Sequence, residues 1–75
     1  QTPVEKTLTI PLDYNKNEFE VKVVMVKDGQ SEIVYQRLHN KSEERVSVTI
    51  SGTGTAAIHI YFDDVLVSST EEVFN

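Results

Sequence analysis

At 75 residues, with 39% hydrophobic residues and no cysteine, this chain is the size of one domain and must fold on a modest apolar core without a disulfide. Its formal net charge of −5, with seven scattered basic residues, argues against nucleic acid, anionic lipid and anionic wall polymers, all bound through clustered Lys and Arg. No apolar run is long enough to span a membrane, nothing reads as a signal peptide, and a start at Gln1 reads as a domain cut or processed from a longer protein.

The predicted elements are all strands. From Val4 to Leu12, Leu8, Ile10 and Leu12 alternate with Thr7, Thr9 and Pro11, the period-two pattern of a half-buried strand. Pro11 cannot donate to a ladder and marks it as an edge. Asp13-Tyr14-Asn15-Lys16-Asn17 is a polar loop. Glu18 to Lys27 is the strongest strand, with Phe19, Val21, Val23 and Met25 on one face. The other face starts polar at Glu20 and Lys22 and turns apolar at Val24 and Val26. Asp28-Gly29 is the preferred dipeptide of a tight type I′ hairpin turn. Ser31 to Leu38 is the return strand, with Ile33 and Tyr35 sharing one face and Val34 and Leu38 the other.

His39 to Glu44 is expected to be a charged loop. Arg45 to Ser51 alternates cleanly, with Val46, Val48 and Ile50 inward and Ser47 and Thr49 outward. Gly52-Thr53-Gly54 punctuates. Thr55 to Phe62 turns Ile58, Ile60 and Phe62 inward and His59 and Tyr61 outward. After an acidic turn at Asp63-Asp64, the last strand runs from Val65 to about Phe74 and weakens through Ser68-Ser69-Thr70.

Short strands at regular spacing with turn signals between them predict one all-β domain over residues 1–75. The expected architecture is a small immunoglobulin-like β-sandwich of about six or seven antiparallel strands, the alternative a curled meander. The sandwich is favoured because half-apolar second faces need a second layer to cover them. In that sandwich, strands one, two and four form one sheet and strands three, five and six the other, although a two-residue Asp28-Gly29 turn tends to keep its strands together.

The chain offers little for chemistry. Without cysteine or a Gly-x-Ser-x-Gly elbow, it shows no nucleophile set. Gly52-Thr53-Gly54-Thr55 lacks the lysine of a phosphate loop. Asp13-x-Asn15-x-Asn17 opens like a calcium loop, but Glu18 stands where the glycine belongs and Val24 where the closing glutamate belongs. His39 and His59 read as solvated surface histidines. No cofactor or metal ligand set is expected, and Asn40-Lys41-Ser42 is a chance-prone glycosylation sequon. One surface feature remains. Tyr35, His59 and Tyr61 are expected to face outward on neighbouring strands three and five, near Val24 and Val26. An aromatic patch there suits a sugar ring or a peptide, or serves as cross-strand packing or contact with a neighbouring domain.

The run Val46-Ser47-Val48-Thr49-Ile50-Ser51-Gly52-Thr53-Gly54, followed by Ile58-His59-Ile60-Tyr61-Phe62-Asp63-Asp64-Val65-Leu66-Val67, carries a resemblance. So does the upstream Val21-Lys22-Val23-Val24-Met25-Val26-Lys27-Asp28-Gly29 with Ile33-Val34-Tyr35. Together, from about Thr7 to Phe74, they resemble the C-terminal immunoglobulin-like domain of bacterial PASTA-containing serine/threonine kinases. The match departs at Asp63-Asp64, where Asp-Gly is expected. The resemblance implies a non-catalytic, extracellular, wall-facing module at the end of a PASTA stalk of a single-pass Gram-positive sensor kinase. Its implied partners are peptidoglycan fragments or the adjacent PASTA repeats. The alternative is an accessory or carbohydrate-binding β-sandwich of another bacterial surface protein or secreted enzyme.

Overall fold

The computed structural model describes residues 2–74. Six antiparallel strands form two sheets: β1 (Val4–Pro11), β2 (Glu18–Lys27), β3 (Gln30–Asn40), β4 (Arg45–Gly52), β5 (Gly54–Phe62) and β6 (Val65–Phe74). β1 and β4 make a two-stranded sheet, and the other four make a sheet in the order β3-β2-β5-β6. This is a small all-β sandwich. Its connections follow the immunoglobulin pattern, with β1 and β4 in the places of strands B and E, and β2, β3, β5 and β6 in those of C, C′, F and G. No strand occupies the position of D, because a single 3₁₀ turn, Lys41–Glu43, carries the chain from β3 to β4.

The expected sheet partition is overturned. β2 belongs with β3, β5 and β6, not with β1 and β4, and it separates β3 from β5. The cause is local. Asp28 (φ 53°) and Gly29 (φ 77°) both adopt left-handed backbone, as a type I′ turn requires, and a turn this tight holds its two strands in one ladder. Asp63 (φ 49°) and Asp64 (φ 65°) do the same between β5 and β6, without the glycine that usually relieves the second position.

The chain crosses between the sheets only at its longer or irregular connections. The shortest is the corner Gly52-Thr53-Gly54, where Gly52 ends β4 and Gly54 begins β5. Only Gly54 has a left-handed φ, of 69°. Lys27 Nζ clamps this corner by donating to the carbonyl oxygen and to Oγ1 of Thr53.

The core lies between the layers. Ile10, Val48 and Ile50 of the small sheet meet Phe19, Val21, Val23, Ala56, Ile58, Phe62 and Phe74 of the large one, and all are nearly inaccessible. The inward alternation of β2, β4 and β5 is as expected from the sequence. Leu12, apolar in the alternation of the first strand although β1 ends at Pro11, and Tyr14, in a segment read as polar, complete the core. Leu12 is buried, with its N–H donating to Glu44 O at 2.9 Å. Tyr14 packs its ring against Phe19 and Phe62 at centroid distances of 5.1 and 5.4 Å. At the opposite end Phe74 is fully buried, its ring 3.5 Å from where a Cβ on Gly52 would stand.

Candidate functional site

Two β-bulges interrupt the large sheet, and the one in β3 decides where Tyr35 points. Val23 pairs with Tyr35 but Val24 pairs with Ile33, so Val34 is an extra residue in β3. Likewise Ile60 pairs with Ser68 and Tyr61 with Leu66, so Val67 is extra in β6. A bulge shifts the alternation by one residue. Ile33 and Tyr35 therefore lie on opposite faces, contrary to the sequence reading. Tyr35 shares the inward face with Val23 and packs beside the core.

His59 and Tyr61 do come together on the outer face of the four-stranded sheet, with Val24 and Lys22 opposite them in register on β2. They line an open depression of about 810 Å³ with Val26 and Ile33. Ile33 is 54% exposed. Among the described residues no second layer lies over this face, so Val24 and Val26 stay only half-buried.

Charges frame the depression. Lys22 Nζ stands 5.1 Å from the centroid of the Tyr61 ring and pairs with Asp64 Oδ1 at 2.8 Å. The hydrogen bond it donates to Asp64 holds the Lys22 ammonium above the ordinary lysine range. One face of the Tyr61 ring is thus engaged by a cation, which leaves less of it for stacking against a sugar. His59 Nδ1 is buried without a hydrogen-bond partner, alone among side-chain nitrogens and oxygens of the described residues. Such a group costs about 1–3 kcal/mol in desolvation, and it lies on the predicted face.

At the lower end of the sheet Asp63 fastens the β5–β6 turn to β2. Its Oδ1 accepts from the Glu20 N–H at 2.9 Å, and its own N–H donates to Glu20 O at 3.0 Å. Its Oδ2 pairs with Lys16 at 3.0 Å. The Glu20 N–H and then Lys16 hold its carboxyl below the usual aspartate range.

Tyr35 belongs to a different constellation. β3 runs two residues beyond expectation, pairing His39 with Phe19 and Asn40 with Glu18. His39 is therefore on a strand, its side chain only 11% exposed. Its Nε2 bonds the Tyr35 hydroxyl, and its Nδ1 lies 2.9 Å from Glu43 Oε2. Glu43 Oε1 accepts from the Asn40 N–H at 3.0 Å, while Asn40 Oδ1 accepts from the Ser42 N–H at 2.9 Å. This is a reciprocal capping box. His39 and then Asn40 hold the Glu43 carboxyl below the ordinary range. The Asn-x-x-Glu spacing of Asn40 and Glu43 is the signal of a cap inside the segment expected to be a charged loop; the pairing of Tyr35 with His39 follows from β3 running on to Asn40.

No group of three or more His, Cys, Asp or Glu side chains among the described residues is arranged to hold a metal. No helix among the described residues is long and apolar enough to cross a membrane. No family model, no curated protein and no solved structure matches this chain.

Proposed function

We propose that this domain is a non-catalytic interaction module of a larger bacterial surface protein, working through the outer face of its four-stranded sheet. The observation that carries the reading is the open depression around His59 and Tyr61, with Ile33 exposed and Val24 and Val26 half-buried beside them and a buried, unpartnered His59 nitrogen. A contiguous apolar strip of this kind, rimmed by charge, marks an interaction surface. The parent suggested by the sequence resemblance is a Gram-positive sensor serine/threonine kinase. There the module would stand at the wall-facing end of a PASTA stalk, outside the membrane. Its role would be to contribute to muropeptide sensing or to fix the stalk's architecture through the neighbouring repeat.

Titration of the isotopically labelled domain with muropeptides, and separately with a PASTA repeat, tests this. Saturable amide shifts at Val24, Ile33, His59 and Tyr61 with either ligand support the reading. Silence of that face toward both removes it.

A further inference from the structure

A four-stranded sheet facing a two-stranded one leaves four strand edges, and three of them are blunted. β3 is interrupted by the Val34 bulge and β6 by the Val67 bulge. β1 ends at Pro11, and its inward Lys6 bridges to Glu72 of β6 at 3.4 Å. Bulges, prolines and inward charges are the devices by which sheets refuse further strands. β4 has none of them. It pairs with β1 in unbroken register from Arg45 to Gly52. Between Val46 and Ser51 it carries no charge and no proline, only β-branched apolar residues inward and hydroxyls outward.

The space beside β4 is the position that strand D fills in a complete immunoglobulin sandwich. β1 lies on the β6 side of the molecule, as the Lys6–Glu72 bridge shows, so β4 faces the side of β3. There the inward face of β3 is incompletely covered: Arg37 and Glu32 are exposed and Tyr35 only half-buried.

We propose that the free edge of β4 accepts an extended, basic segment of a partner polypeptide as a third strand of the small sheet. The unpaired backbone of an edge strand is satisfied by another strand, and pockets for alternate side chains give selectivity. Alternation would set small apolar residues toward Val34 and Tyr35. The basic character follows from the chain's net charge of −5, which steers a cationic partner. This surface is separate from the outer face around His59 and Tyr61, and the proposal does not depend on the function assigned to that face.

The test is a titration of the labelled domain with a short synthetic peptide that alternates valine with lysine and threonine. The expected result is saturable shifts and slowed amide exchange at Ser47, Thr49 and Ser51, whose N–H groups face away from β1 in this register, with shifts at Tyr35 and Arg37. The double variant S47K/S51K adds charge to the outward side of the edge, where both residues are exposed, and should weaken binding about tenfold or more. Thr9→Lys, outward on β1, should leave it unchanged. The same peptide with glutamate in place of lysine should bind more weakly. The proposal is overturned by shifts confined to His59 and Tyr61, by slowed amide exchange along β3 or β6 equal to that along β4, or by no saturable shift at millimolar peptide. Self-association through β4, seen as a concentration-dependent doubling of mass, also overturns it, and equal binding of the glutamate peptide overturns its basic character.

Discussion

Phe74 provides the sharpest test of how this fold is sealed. It sits at the end of the last strand, yet none of its surface is exposed. The ring packs under Gly52 on one side, and Lys6 Nζ lies 5.7 Å from its centroid on the other. Phe74→Ala removes a fully buried aromatic, which costs about 3–5 kcal/mol. Gly52 has no side chain to move into the space, and the cation–π contact, worth about 0.5 kcal/mol at a partly exposed site, is lost as well. The expected loss is therefore about 4 kcal/mol. A domain of this length holds only about 4–11 kcal/mol in total. With a urea slope of about 1 kcal/mol per molar, the unfolding midpoint followed by far-ultraviolet circular dichroism should fall by about 3–4 M, close to unfolding the domain outright. Phe74→Leu should retain most of that stability. Val73→Ala is the control, since its side chain is 46% exposed one residue away, and should change stability by less than about 0.5 kcal/mol. If Phe74→Ala moves the midpoint no more than Val73→Ala, the end of β6 frays and the sealing argument is refuted.

The two glycines of the β4–β5 corner should separate cleanly by the same assay. Gly52→Ala, whose Cβ would make ordinary contacts of 3.5 Å, should stay within about 0.5 kcal/mol of the parent, whereas Gly54→Ala should cost about 1–2 kcal/mol because its φ is 69°. His59→Leu replaces the unpartnered nitrogen with apolar volume and should raise stability by about 1 kcal/mol; a loss would show that the nitrogen is matched in solution. Asp63 contributes stability through a depressed folded-state pKa, so that contribution is present above the ordinary aspartate range near about pH 4 and is lost as the pH falls through the depressed value. Asp63→Asn should flatten that acid limb in urea midpoints measured against pH, and an unchanged limb would assign it to other groups, Glu43 first.

The strands were legible because each reports its own burial. The alternation of β4 and of the inward side of β2 is a record of which side meets the core, and both hairpin turns lie where acidic or Asp-Gly dipeptides interrupt it. The division into sheets was less legible, because period two says that a face is covered without saying by what. Two-residue turns at Asp28-Gly29 and Asp63-Asp64 fix β2 with β3 and β5 with β6. Those pairings leave the longer and irregular connections as the places where the chain can cross. Giving that turn geometry precedence over the wish to cover Val24 and Val26 would have led to the observed partition. The sandwich instead leaves those residues only half-buried on a face that no second layer of the described residues covers.

The site was half legible for a related reason. His59 and Tyr61 follow an uninterrupted alternation from the buried Ile58, so their direction could be read. Tyr35 follows the Val34 bulge, and no residue type announces an extra residue in a strand. One displaced residue sends Tyr35 to the inward face, where it meets His39, itself paired with Glu43, rather than Tyr61. The same bulge spoils β3 as a pairing edge. A single irregularity thus removes one aromatic residue from the outer face and closes one edge of the large sheet. With Val67 closing the other and Lys6 and Pro11 guarding β1, the regular run Val46-Ser47-Val48-Thr49-Ile50 is left as the edge where another strand can be added.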